Sequence, residues 1–195
     1  MLNADAALVT RCQQDDCEAF GEIVSRYKDG IYNYVWRMVS NREDAEDLAQ
    51  EVFVRAFASI KTFRREANLR TWLYKIASNL CVDKYRRSGL EKQWIVPLER
   101  EQGDAVRPLD IPDHSNDPKL SFERLELQSE VQKSLLKLPD KLRSAIILFD
   151  IEGLSYEEIA ETMACPIGTV KSRIFNARLK LRELLRAYVE GDVRL

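Results

Sequence analysis

One pattern limits what this chain can fold into. Apolar residues recur three and four apart along almost its whole length, and no run alternates as a half-buried strand would. Phe20, Ile23, Val24 and Tyr27 make one stripe, ending near Gly30, and Ile31, Tyr34, Val35 and Met38 make the next. Leu48, Val52, Phe53, Ala56, Phe57 and Ile60 form a third, and Leu69, Trp72, Leu73, Ile76, Ala77 and Leu80 a fourth. An isolated helix cannot bury such a stripe, so these need one another. Residues 1–88 are expected to form one compact helical module, with aromatics in the stripes read first as core.

The pattern then stops. Between Gly89 and Phe122 stand four of the six prolines (Pro97, Pro108, Pro112 and Pro118), and from Glu99 to Glu123 seven acids face three bases. This segment is expected to be a flexible acidic linker. As a coil its 34 residues would span roughly 30–35 Å, and about 110 Å at full stretch. Helical spacing resumes near Glu123 with Leu125, Val131, Leu135 and Leu138, and Pro139 suits the first position of the following helix. The predicted fold is therefore all-α: two small helical domains, 1–88 and 123–195, joined by a long linker over 89–122.

The end of the second module is the most informative stretch. Gly153 fits a helix C-cap, and Ser155 with Glu158 three residues on fits a capping box. A short helix packing through Ile159, Ala160 and Met163 leads to a turn at Ala164–Cys165–Pro166 and then to a basic helix. Two helices joined by a tight turn, the second carrying the cations, make a helix-turn-helix. Its second helix would enter the DNA major groove. The formal net charge of the chain is −2, yet between Pro166 and Arg186 six bases meet one acid. Val170, Ile174, Ala177 and Leu181 are expected to face inward. Lys171, Ser172, Arg173, Asn176 and Arg178 would bracket the groove-facing side, where Arg and Asn can pair with guanine and adenine edges and Lys with phosphate.

A second basic patch runs from Phe63 to Arg87, with seven bases, two acids and the aromatics Phe63, Trp72, Tyr74 and Tyr85 interleaved. Cations among aromatics can hold single-stranded nucleic acid, although Trp72 also fits the core stripe. The acids Glu43, Asp44, Glu46, Asp47 and Glu51 give the third helix a negative start, which complements the helix dipole. Asp44, Asp47 and Glu51 share a face, but without a histidine nearby they read as a solvated or protein-docking stripe rather than a metal site. No Ser/His/Asp set or phosphate-binding glycine loop points to catalysis, so the chain is expected to be no enzyme and to need no cofactor. No apolar run approaches the ~20 residues needed to span a bilayer. The N-terminus lacks the form of a signal peptide. Cysteines 12, 17, 81 and 165 are read as separate reduced thiols. A cytoplasmic protein is expected, with Cys12 and Cys17 as small helix-packing residues.

The stretches DAEDLAQEVFVRAFASIKTF (44–63) and TWLYKIASNLCVDKYRR (71–87) resemble region two of a bacterial sigma factor, and LPDKLRSAIILFDIEGLSYEEIAETMACPIGTVKSRIFNARLKLRELL (138–185) resembles region four. With only the linker and no further region between them, the chain resembles the extracytoplasmic-function (ECF) group of the sigma-70 family. The resemblance implies a factor that binds core RNA polymerase, through its clamp helices and flap, and directs promoter recognition, melting and initiation for a stress or envelope-response regulon. It implies that Asp44, Asp47, Leu48, Gln50 and Glu51 dock on polymerase. The loop Thr62–Leu69 and the following helix would open and read the minus-ten element, with Phe63 and Asn79 contacting an extruded base and Arg64, Arg65, Lys75, Lys84, Arg86 and Arg87 contributing to DNA binding. Lys171, Ser172, Arg173, Phe175, Asn176 and Arg178 would read the minus-35 element. An anti-sigma factor is the further partner it implies. The linker would thread towards the polymerase active-site channel and let the two readers separate. Acidity elsewhere would keep the free chain off bulk DNA, since non-specific affinity follows the number of phosphates neutralised. The alternative is a stand-alone helix-turn-helix regulator, although no receiver or ligand-binding domain with parallel strands is visible.

Overall fold

The computed structural model describes residues 2–64, 68–94 and 118–191, all of whose regular structure is helical. Four long helices build the first module: α1 (Leu2–Gln13), α2 (Cys17–Val39), α3 (Arg42–Ser59) and α4 (Leu69–Trp94), with a 3-10 turn at Ile60–Thr62. Short polar signals set their ends. Asp16 caps α2 by accepting from the Ala19 N–H at 3.0 Å, and Asn41 caps α3 by accepting from Asp44 at 2.9 Å. Ser40 takes a left-handed conformation at the end of α2 and returns its N–H to the Trp36 carbonyl. The stripes then meet as a core of Ile23, Ile31, Tyr34, Val35, Met38, Val52, Leu73 and Ala77, each fully buried. Side chains of this size contribute about 1.5–3 kcal/mol apiece by leaving water.

Three sequence expectations change here. The first two stripes lie on one continuous helix, α2, because Gly30 is not a break. A Cβ at Gly30 would stand 2.9 Å from the Tyr74 hydroxyl oxygen, so glycine serves a close approach of α4. Phe57, assigned to the core stripe, is 53% exposed and meets only the edge of Phe20, with ring centroids 5.0 Å apart. The inward face of α3 is already filled by Ala45, Ala49, Val52, Phe53 and Ala56. Cys17 is exposed, whereas Cys12 and Cys81 are buried and burial pushes the Cys81 thiol up to about 12.

The second module is α5 (Pro118–Leu136), α6 (Asp140–Ile146), a π-helical turn at Ile147–Ile151, α7 (Tyr156–Thr162) and α8 (Ile167–Gly191). Gly153 has the positive φ of 68° that reverses the chain before α7, and the Ser155–Glu158 capping box is complete. Helices take up both ends of the segment 89–122: α4 continues past Gly89 through the good helix formers Leu90, Glu91, Lys92 and Gln93 to Trp94, and Pro118 opens α5 at the position where its missing N–H is harmless. Residues 95–117, the rest of that segment, lie outside the described residues.

The modules are packed together. The Tyr34 and Ser144 hydroxyls share a buried hydrogen bond of 2.9 Å, and the Gln132 amide donates to the Arg37 carbonyl at 3.2 Å. Arg143 of α6 is 3% exposed. Its guanidinium donates to the Met38 carbonyl and Tyr85 hydroxyl of the first module, each at 2.6 Å, and to the Leu136 and Leu138 carbonyls of its own, each at 2.9 Å. Those carbonyls lie at or just beyond the C-terminal ends of α2 and α5, where backbone acceptors have no helical partner and a cation is favoured.

Candidate nucleic-acid and polymerase interfaces

In α8 the inward set is Val170, Ile174 and Ala177, with Leu181 half-buried behind them. The opposite crest carries Ser172, Phe175 and Leu179, and Phe175 is 62% exposed, an unusual position for an aromatic unless something covers it. Asn176 and Lys180 lie exposed along one flank. On the other flank Phe149 and Tyr156 stack at 4.7 Å and 15°, and two cations rest on them. Lys171 lies 5.4 Å from the Tyr156 centroid and Arg178 lies 5.3 Å from that of Phe149. Arg178 also forks onto Asp150, Nε to Oδ2 at 3.1 Å and Nη2 to Oδ1, which strengthens its hold on its proton. Arg173 turns towards the helix-turn-helix corner, with Nη1 3.4 Å from Cys165 Sγ. Ser172 donates to the Thr169 carbonyl at 2.9 Å, leaving its oxygen able to accept. Of the six residues expected to read DNA here, five stand on the crest or its edges, and Arg173 braces the turn.

The expected minus-ten residues are dispersed by comparison. Phe63 is buried, tilted against Trp72 at 4.8 Å, while Arg64, Asn79 and Arg86 are exposed and Lys75 is half-buried. Lys84 forms an ion pair with Asp44, so a residue expected to bind DNA and one expected to bind polymerase hold each other across α3 and α4. Arg65 and the Arg87 side chain lie outside the described residues. Three further residues build this face: Arg70 and Tyr74, which sequence placed in the basic and aromatic patch without a role of their own, and Asn68, which it did not single out. Asn68 caps α4 through its Oδ1, accepting from the Arg70 N–H at 2.9 Å. Its amide donates to Glu158 Oε1 of the second module at 2.8 Å. Arg70 donates to the Glu152 carbonyl, and Tyr74 donates to the Glu152 carboxylate. Burial pushes the Glu152 pKa up and, with Glu152 beside it, holds the Tyr74 phenol protonated far above its ordinary range.

On α3 the exposed face is Asp47, Gln50, Val54 and Phe57, spaced three and four apart, with Leu48 and Glu51 half-buried at its margins. Glu51 is held by Arg55 at 2.7 Å. Val54 and Phe57, 55% and 53% exposed, turn the acidic stripe into a mixed acidic and apolar surface, the composition of a protein-docking site more than of a solvated face. Sequence did not separate Phe57 from the core stripe, because it stands four residues from the buried Phe53 and an exposed face has the same spacing. Among the described residues no cluster of His, Cys, Asp and Glu could hold a metal ion, and no helix is long and apolar enough to cross a membrane.

Comparison with known proteins agrees with this layout. The family described as Sigma-70 region 2 matches residues 23–91, and Sigma-70, region 4 matches residues 128–181. The ECF RNA polymerase sigma factor SigW of Bacillus subtilis is 38% identical, over 91% of this chain and 95% of that one. The ECF RNA polymerase sigma-E factor of Haemophilus influenzae is 41% identical, over 89% and 91%. Among solved structures, the sigma factor RpoE in complex with the anti-sigma factor NepR from Bartonella quintana superimposes with a TM-score of 0.69 at 31% identity, covering 86% of this chain and 96% of that one. CnrH in complex with the cytosolic domain of CnrY gives the same TM-score at 25% identity, over 94% and 98%. Two regions matched in order, and relatives matched over nearly their whole lengths, make this chain a member of the sigma-70 family, an RNA polymerase sigma factor of the ECF group.

Proposed function

We propose a division of labour among three helices. The face of α3 bearing Asp47, Gln50, Val54 and Phe57, with Asp44, Leu48 and Glu51 beside it, docks on the clamp helices of core RNA polymerase. The loop before α4 and the α4 positions Lys75, Asn79, Lys84, Arg86 and Arg87 open and hold the minus-ten element. The helix α8 enters the major groove at the minus-35 element, with Phe175 against a thymine methyl, Asn176 on a base edge, and Lys171 and Arg178 on the backbone. The observation that carries this reading is the crest of α8, where an exposed aromatic stands among cations and amides on a capped helix-turn-helix. Such a factor works by positioning polymerase and DNA rather than by catalysing a reaction, and it works in the cytoplasm. An anti-sigma factor, the kind of partner bound to RpoE in its solved structure, is the expected regulator.

In vitro transcription with bacterial core polymerase and a random-spacer promoter library tests the scheme. Addition of the chain is expected to redirect initiation to templates sharing two spaced elements. Asn176→Ala should relax the upstream element and Asn79→Ala the downstream one, each by roughly 1–3 kcal/mol of discrimination. A chain that neither binds core nor starts transcripts would instead favour a stand-alone helix-turn-helix regulator.

A further inference from the structure

The second module meets the first on the donors that open α4. The Asn68 amide, the Arg70 guanidinium and the Tyr74 hydroxyl point to the second module, and acceptors from its acidic turn answer each of them: Glu158 Oε1, the Glu152 carbonyl and the Glu152 carboxylate. Arg37 of α2 adds a second positive charge near Glu152. The fit is close, since a side chain at Gly30 would press on the Tyr74 hydroxyl and approach Glu152 Oε2 to 3.7 Å. Glu158 serves both sides, because its other oxygen caps the Ser155 N–H at 2.8 Å.

An amide, a guanidinium and a phenol are the groups that proteins present to phosphate and sugar oxygens to fix register on a nucleic acid. Asn68 precedes, and Arg70 and Tyr74 lie on, the helix proposed to hold the minus-ten strand, about one and a half to three turns before Asn79. We propose that the acidic turn from Glu152 to Glu158 is an internal mimic of the nucleic-acid backbone, occupying α4 in the free chain and yielding it only when the modules separate. This rests on the promoter-reading role given to α4.

The physical chemistry makes the mask reversible. Glu152 is buried against its own preference for water, and such a polar contact roughly balances attraction against desolvation. Opening does not orphan the buried guanidinium of Arg143, which keeps the Leu136 and Leu138 carbonyls of its own module. Two readers that must reach elements a couple of helical turns apart, at roughly 34 Å per turn, cannot remain in hydrogen-bond contact.

The test uses the full chain with a fluorescent random-sequence 20-nucleotide single-stranded DNA as probe, without polymerase, beside run-off transcription at saturating core. Glu152→Ala is expected to bind the probe about tenfold tighter, because an affinity drawn from a state one-tenth populated is reduced by that fraction. Hydrogen exchange along 68–79 should rise, and adding Arg70→Ala should remove the gain. Glu158→Gln, which retains an acceptor for Ser155, should show a smaller gain at an unchanged unfolding midpoint and guards against a folding defect in the first variant. Transcription with core should be unchanged in Glu152→Ala. Unchanged affinity in both variants overturns the mask, whether or not exchange rises, and so does a Glu152→Ala chain that fails with core while the unsubstituted chain succeeds. If the unsubstituted chain itself starts no transcripts with core, the promoter-reading role falls, and the mask with it.

Discussion

The two helices proposed to face DNA differ in what covers them. The crest of α8 stands open, with Phe175 and Asn176 exposed. The first two turns of α4 are spent on the other module, through Arg70 and Tyr74, and the aromatic before them, Phe63, is packed against Trp72. A helix that buries one stripe in its own module shows its working face by elimination. A helix contacted from two sides does not, because the second contact uses the same polar residues that would mark a binding surface.

The strongest way to break this comparison is to remove what joins the modules. Arg143→Leu leaves the Leu136 and Leu138 carbonyls without this donor, while Met38 keeps the Tyr85 hydroxyl, and each buried orphan costs about 1–3 kcal/mol. A loss of roughly 3 kcal/mol or more in denaturant unfolding of the full chain is expected, together with faster hydrogen exchange along α4. A chain that tolerates Arg143→Leu with unchanged stability would show that the modules are joined elsewhere.

A gentler change acts at Gly30. In an exposed helix Gly→Ala adds about 1 kcal/mol through propensity alone. Here the new methyl must push back the Tyr74 hydroxyl, which in the closed chain is fixed on Glu152 and in the open chain is free to move. Gly30→Ala should therefore keep the first module folded yet weaken closure by about 1.5–3 kcal/mol, the worth of one charge-assisted hydrogen bond. Small-angle scattering should record an expanded chain at unchanged helix content. A compact Gly30→Ala chain would mean that the approach of α4 to α2, rather than closure, is what requires glycine.

How much of this was legible follows from range. Helices, caps and turn depend on residues a few positions apart, so the stripes, the Ser155–Glu158 box and the Gly153 reversal were all present in the local pattern. The inward face of α8 was legible for the same reason. Gly30 misled because a break and a close approach leave the same residue, and only the position of Tyr74, 44 residues later, separates them. Phe57 misled because an exposed face and a core stripe can share a period. The closure itself had no local signal: the residues beside Glu152 and Arg143 do not mark their partners, which lie 78 and 58 residues away.

The smallest expected effect is also the one that isolates Glu152. Burial raises its pKa in the closed chain above the ordinary carboxylate value of 4.5, and the groups facing it are Tyr74 and Arg70 from α4 and Arg37 from α2. None of these changes charge in the acid range: the phenol is held protonated and guanidinium groups stay charged. The closed chain thus binds a proton more tightly than the open one. Closure is favoured as pH falls from the closed-state pKa towards 4.5, gains nothing further below it, and is opposed by the full desolvation of the carboxylate above the window. The effect is modest because Glu152 is only half-buried. Hydrogen exchange along 68–79, corrected for its intrinsic pH dependence, should slow as pH is lowered through that window. Glu152→Gln keeps an acceptor but cannot titrate, so it should stay closed at every pH and abolish the trend. A trend that survives Glu152→Gln would assign the pH response to another group and leave closure without its titrating residue.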